Sequence, residues 1–203
     1  MLAHLLRASG GCHASRASFN NHLGVPLTLA ALPAAPVPAI QEIGMNAPGE
    51  ITALSSLARP DIAIITRIAD SHAGFFDNLE AIAAAKAEIF DGLRAGGTAI
   101  LNRDDAFFEM LAEHARNAGA GRIVTFGTDA EADFRLCDTS RGEDHMTVTA
   151  SLNGASLSFT LGMRGSHWAM NVMAVLAAID ALGNDARKAA GHLHGLNELP
   201  WRG

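Results

Sequence analysis

Apolar positions along this chain follow two alternating rhythms. Short runs, AIQEIG at 39–44, IAIIT at 62–66, TAILN at 98–102 and RIVTFG at 122–127, have the length and β-branched content of strands covered on both faces of a parallel sheet. Between them, apolar residues recur at i, i+3 and i+4, which predicts helices. One begins near Pro48 with Ile51, Leu54 and Leu57 on one face, and the next spans 78–93 with Leu79, Ile82, Ile89, Phe90 and Leu93 on its inner stripe. A third is expected to be capped by Asp104 and stopped at Gly119. Upstream, residues 1–9 read as a short helix ended by Gly10 and Gly11, then a polar loop with Asn20 and Asn21 leads to a turn at Gly24 and Pro26 and a proline-rich connector.

From 132 to 161 the rhythm changes. FRLCDTS, HMTVTASL and ASLSFTLG read as short strands joined by turns at Gly142 and Asn153-Gly154. Helices from Ser166 to Leu182 and from about Asp185 to His194 close the pattern. The alternation predicts an α/β fold, a mostly parallel sheet flanked by helices with right-handed crossovers, carrying a small antiparallel β appendage at about 132–161 within one domain of residues 1–203.

Composition narrows the function classes. With 203 residues, 49% hydrophobic and 18% charged, the chain has material for a sizeable core. A net charge of -6 with scattered Lys and Arg gives no basic footprint, so nucleic acid is not an expected partner. Cys12 and Cys137 stand far apart with no partner at metal-ligand spacing, which fits a reducing cytoplasm. MLAHLLRASGG lacks the continuous apolar core of a signal peptide, and the apolar run after Asn171 is broken by Asp180 and Gly183. A cytoplasmic monomer without membrane insertion is expected.

Several polar residues stand out against this apolar frame. Ligands of open α/β sheets gather at the carboxyl ends of the strands, where Glu42 is expected and where a carboxylate can hold Mg²⁺. The alternative is an acid that caps the next helix or pairs with an arginine. His72, six residues past the strand at 62–66, also lies on that side, as a metal or phosphate contact or as a solvated loop histidine. Lys86 falls in the middle of the apolar stripe of helix 78–93. A lysine there is paired, snorkels outward, or is carbamylated into an anion able to bind metal, and geometry leaves these readings open. Asn171, with His167 one turn before it, sits in a helix apolar on nearly all sides; its amide reads a flat polar edge such as adenine, or is a satisfied core group. Asn20 and Asn21 fit ordinary turn chemistry as well as a ligand clamp.

The strings SFNNHLGVPLTL, EIGMNAPGEI, AKAEIFDGL, AILNRDD and GSHWAMNVMAVLAA, in order from Ser18 onward, resemble the central domain of the Mur ligases. Among them, SFNNHLGVPLTL and EIGMNAPGEI favour the branch that adds D-Ala-D-Ala to UDP-N-acetylmuramoyl-tripeptide in peptidoglycan synthesis, using ATP and Mg²⁺, over related ligases such as folylpolyglutamate synthase. The resemblance implies that Glu42 and His72 hold Mg²⁺ and that Lys86 is carbamylated. It implies that Asn171 and His167 lie by the adenine and that Asn20 and Asn21 face the phosphates and the muramoyl substrate. Asn102, assigned with them to cofactor binding, shares a further motif with Asp105.

The resemblance also has gaps. The family's glycine-rich phosphate loop, ending in Gly-Lys-Thr or Gly-Lys-Ser, is absent from the 203 residues, and IADSHAGFF departs from the usual residues around the histidine. The flanking domains for the UDP-sugar and the second substrate are absent too. The expectation is therefore a truncated domain, inactive alone, with an exposed apolar sheet edge; the alternative is a non-catalytic scaffold that kept the fold.

Overall fold

A computed structural model of the protein describes residues 1–15, 18–70, 76–163 and 165–196. Three parallel strands, β3 (Ile62–Ile65), β4 (Thr98–Asn102) and β5 (Arg122–Gly127), lie side by side in chain order. The sheet continues through β6 (Phe134–Arg141), β7 (Met146–Leu152) and β8 (Ala155–Leu161), with β6 parallel to β5 and the last two joints antiparallel. The expected appendage is thus an extension of the main sheet. Its β7–β8 turn is Asn153-Gly154, both at positive φ, 50° and 82°, the geometry of a tight hairpin that this dipeptide favours. A separate parallel pair, β1 (His13–Ala14) and β2 (Ala39–Ile40), stands apart from the larger sheet.

Helices cover both faces because successive strand residues point to opposite sides. In β4, Ala99 and Leu101 join Ala63 and Ile65 in a core under α3 (Glu50–Ala58), α4 (Leu79–Ala87) and α5 (Phe108–Asn117). Ile100 points the other way. It meets Val124 and Phe126 beneath α1 (Leu2–Ala8), α6 (Ser166–Ala181) and α7 (Ala186–Ala190). Phe90, Phe126 and Phe134 are fully buried, each contributing about 1.5–3 kcal/mol of transfer from water. The remaining helix, α2 (Gly24–Ala30), connects β1 to β2. Among the described residues no helix is long and apolar enough to cross a membrane.

The sequence expectations differ from the structure at element ends. Among the described residues the strand expected at 39–44 pairs only at Ala39 and Ile40, so Glu42 lies two residues beyond it. Helix 78–93 stops at Ala87 and tightens into a 3₁₀ turn at Glu88–Phe90. Leu57 and Leu79, placed on inner stripes, are 53% and 42% exposed, because each sits at a helix end where the stripe has rotated off the core. Asp104 does not cap α5; its carboxylate accepts instead from Thr128 and Asp129 backbone N–H groups. The last helix is shorter than expected, Ala186–Ala190.

The start of α4 has its own anchor. Asn78 Oδ1 accepts from the Ala81 N–H at 2.8 Å, with Asn78 in extended backbone. Asn78→Ala is expected to cost about 1 kcal/mol. Urea unfolding should show a lowered midpoint at an unchanged slope.

Candidate active site

A cavity of about 770 Å³ runs between the β2 segment and the whole length of β3. One wall is the segment 37–45 that contains β2, and the other is the segment 58–66 that contains β3. Among the described residues β3 pairs only with β4, so its second edge faces this space. Ile62 and Ile64 are half-buried there rather than fully covered, as the apolar run had predicted. The expected apolar edge is therefore present. Asn20, Glu42, Lys86 and Asn171, four of the residues singled out in the sequence, all line this cavity, and Asn20 touches Glu42 directly.

Glu42 is presented by a loop-to-loop clasp. Gly44 N–H donates to the Asn20 carbonyl at 2.8 Å, Asn20 Nδ2 donates to Glu42 Oε1 at 3.1 Å, and Gln41 Nε2 donates to the Phe19 carbonyl at 3.0 Å. A Cβ at 44 would lie 2.9 Å from Asn20 Nδ2, so any larger residue there would push the Asn20 amide away from its place on Glu42. Gln41 Oε1 is buried without a hydrogen-bond partner among the described residues, although it borders the cavity. Asn21 serves the loop itself, its Oδ1 accepting from Leu23 and Gly24 N–H groups at 3.1 and 2.9 Å where α2 begins.

Lys86 enters from α4 and is half-buried. Its ammonium donates to the Arg67 carbonyl at 3.2 Å. Burial holds the lysine below its ordinary pKa, and the negative charge of Asp105 partly opposes that shift. Loss of the proton is thus made easier, which is the state an amine needs to react with CO₂. Asn102 is 8% exposed at the end of β4, its amide nitrogen donating to the Thr66 carbonyl at 3.3 Å and its oxygen accepting from the Asp104 N–H at 3.0 Å. His167 is exposed and stacks at a tilt on Trp168, with ring centroids 4.9 Å apart. His72 lies outside the described residues.

The donor set can be tested against Mg²⁺. Among the described residues no group of three or more His, Cys, Asp and Glu side chains converges. Mg²⁺ nevertheless keeps several waters and commonly takes only one or two protein carboxylates. Glu42, an exposed carboxylate on the cavity wall, meets that requirement. Lys86 as an ammonium does not, and only its carbamate would.

The pattern reading gave little weight to Asp105. Both of its oxygens are engaged, Oδ2 by Ile68 N–H at 2.8 Å and Oδ1 by Phe107 N–H at 3.0 Å. The signal was the Asn-Arg-Asp-Asp run directly after a strand, a pattern rich in side chains that bond nearby backbone.

Comparison with known proteins adds to this geometry. The family model described as the Mur ligase middle domain matches residues 1–179. The UDP-N-acetylmuramoyl-tripeptide–D-alanyl-D-alanine ligase of Bacillus subtilis is 38% identical over 186 residues, covering 91% of this chain and 38% of that protein. A crystal structure of MurF from Acinetobacter baumannii superposes with a TM-score of 0.90 at 26% identity, covering 98% of this chain and 43% of that one. The MurF ligase of Thermotoga maritima, solved in complex with ADP, has the same fold, with a TM-score of 0.86 at 22% identity over 98% of this chain and 45% of its own. The chain therefore spans well under half the length of these proteins.

Proposed function

This chain belongs to the Mur ligase middle-domain family, and on that premise we propose that it is the ATP- and metal-side domain of a ligase of peptidoglycan precursor synthesis. The observation that carries the reading is that Glu42, Lys86, Asn20 and Asn171 all line one cavity between the β2 segment and β3. The substrates are UDP-N-acetylmuramoyl-tripeptide and D-Ala-D-Ala, the pair named in the Bacillus subtilis relative. The tripeptide carboxylate attacks the γ-phosphorus of ATP, releasing ADP and forming an acyl phosphate. The dipeptide amine then attacks the acyl carbon, phosphate departs, and an amide bond remains.

Within that sequence, each residue has a distinct task. Glu42 is the carboxylate that would hold Mg²⁺, and the ion supplies neutralisation of phosphate charge. Lys86, with a pKa lowered by burial, is the amine proposed to add to CO₂, losing a proton and becoming an anionic carbamate. His72 is proposed as a second metal-side group. Asn171, His167 and Asn102 are assigned to the nucleotide, and Asn20 and Asn21 to the phosphate and muramoyl side. The cytoplasm, where ATP and the UDP-linked precursor occur together, is the proposed location.

The test is a chimaera in which the matched part of this chain, 91% of it, replaces the corresponding span of the Bacillus subtilis relative, which keeps its own flanking sequence. ADP release is expected to require both the muramoyl tripeptide and D-Ala-D-Ala. A folded chimaera that is inert with both, or that prefers a folate and glutamate, contradicts the substrate assignment.

A further inference from the structure

The β3–β4 ladder ends at the pair Ile65 and Leu101. Past that point the backbone of β3 is held by side chains, one residue after another. Thr66 carbonyl accepts from Asn102, Arg67 carbonyl accepts from Lys86, and Ile68 N–H donates to Asp105 at 2.8 Å. Ile68 itself is 8% exposed and belongs to the core under α3, α4 and α5, so the strap is pinned at its far end as well. These contacts extend the strand's register beyond its last backbone pair.

Asp105 is the member with the longest lever. An aspartate that only shaped its own turn would need one oxygen, the one that accepts from Phe107 N–H at 3.0 Å. The second oxygen reaches a residue 37 positions earlier in the chain. Hydrogen bonds to an ionised acceptor are roughly twice as strong as neutral ones, so this contact is suited to fixing a strand exit. Each oxygen therefore holds one backbone donor, one local and one distant.

We propose that Asp105 is a positioning residue: its carboxylate fixes the exit of β3 through Ile68, and thereby sets the place of the Arg67 carbonyl on which the Lys86 ammonium rests. The inference rests on the reading of Lys86 as a site residue. Asp105 acts through backbone and touches no substrate.

The chain contains two lysines, Lys86 and the exposed Lys188, so it carries its own reference for a footprinting experiment. Asp105→Ala and Asp105→Asn are compared with the parent by amide hydrogen exchange at Ile68 and by the rate of acetylation with acetic anhydride, Lys86 against Lys188. Both variants remove the same charge, but asparagine keeps one oxygen that can accept from Ile68. In Asp105→Ala the Ile68 amide is expected to exchange at least ~10-fold faster, the loss of about 1.4 kcal/mol of protection, and Lys86 to acetylate severalfold faster than in Asp105→Asn. Asp105→Asn, whose neutral oxygen accepts more weakly, should raise Ile68 exchange only a fewfold. Unchanged Ile68 exchange in Asp105→Ala overturns the proposal, and so does equal Lys86 reactivity in the two variants. If Asp105→Ala fails to fold, Asp105→Asn decides: Ile68 exchange raised a fewfold supports the proposal, and exchange at the parental rate overturns it. Neither readout needs nucleotide or metal, so an inert chimaera would count against the functional reading and leave this result standing.

Discussion

Lys86→Ala, introduced into the chimaera, is expected to lower the rate of ADP release by about 10²–10³-fold, the range seen when one preorganised charge-stabilising group is removed. The expectation follows from where α4 delivers this side chain. Ile82 and Phe90, on either side of Lys86 in the sequence, are buried, at 1% and 0% exposure. The lysine stem is carried with them to the wall of the cavity that Glu42 and Asn171 share. Truncation removes the only side-chain donor described for the Arg67 carbonyl, and it removes the group proposed to carry the carbamate. Lys86→Met separates packing from chemistry, because it keeps a stem of similar length. Methionine is expected to restore thermal stability to within about 1 kcal/mol, as volume-conserving swaps usually do, and to restore none of the activity. Activity of either variant within threefold of the parent would remove Lys86 from the mechanism.

Gly92→Ala is expected to be the most damaging single methyl group in the fold. A Cβ at 92 would stand 2.1 Å from the Ser55 carbonyl carbon and 2.5 Å from the Ser56 nitrogen, both backbone atoms of α3. Side chains can rotate away from such a clash, but a helix backbone cannot. Nor is α3 free to retreat: Ser55 is fully buried with its hydroxyl 3.1 Å from the Glu88 carbonyl, and the Glu88 carboxylate accepts from Gly49 and Thr52 N–H groups. The cost should reach about 3 kcal/mol, the upper part of the usual range for overpacking. For a chain of this size that is a fall in Tm of roughly 6–12 °C. A calorimetric scan showing less than about 2 °C would mean that α3 can slide on the turn at Glu88–Phe90.

Strand and helix interiors were legible in the sequence because burial there repeats. Ala99, Ile100 and Leu101 alternate between the two cores as a doubly covered strand must. Lys86 stood out because its neighbours at helical spacing were all apolar. Asn153-Gly154 gave the β7–β8 turn because few other dipeptides tolerate two positive φ angles.

Element ends were less legible, since they depend on partners distant in sequence. Among the described residues β2 pairs with β1 at two positions, a partner that lies 26 residues earlier in the chain. Asp104 and Asp105 are adjacent acids with equal claims to a helix start, yet one turns toward Thr128 and the other toward Ile68, a choice fixed by tertiary neighbours. The clasp that presents Glu42 is likewise built across 22 positions, from Asn20 to Glu42.

The most direct measurement is a crystal structure of the chimaera grown with ADP and Mg²⁺. The account predicts Mg²⁺ with Glu42 in its coordination shell and the nucleotide in the cavity that Lys86 and Asn171 also line. A nucleotide bound elsewhere, with Glu42 and Lys86 contacting neither metal nor phosphate, would contradict it.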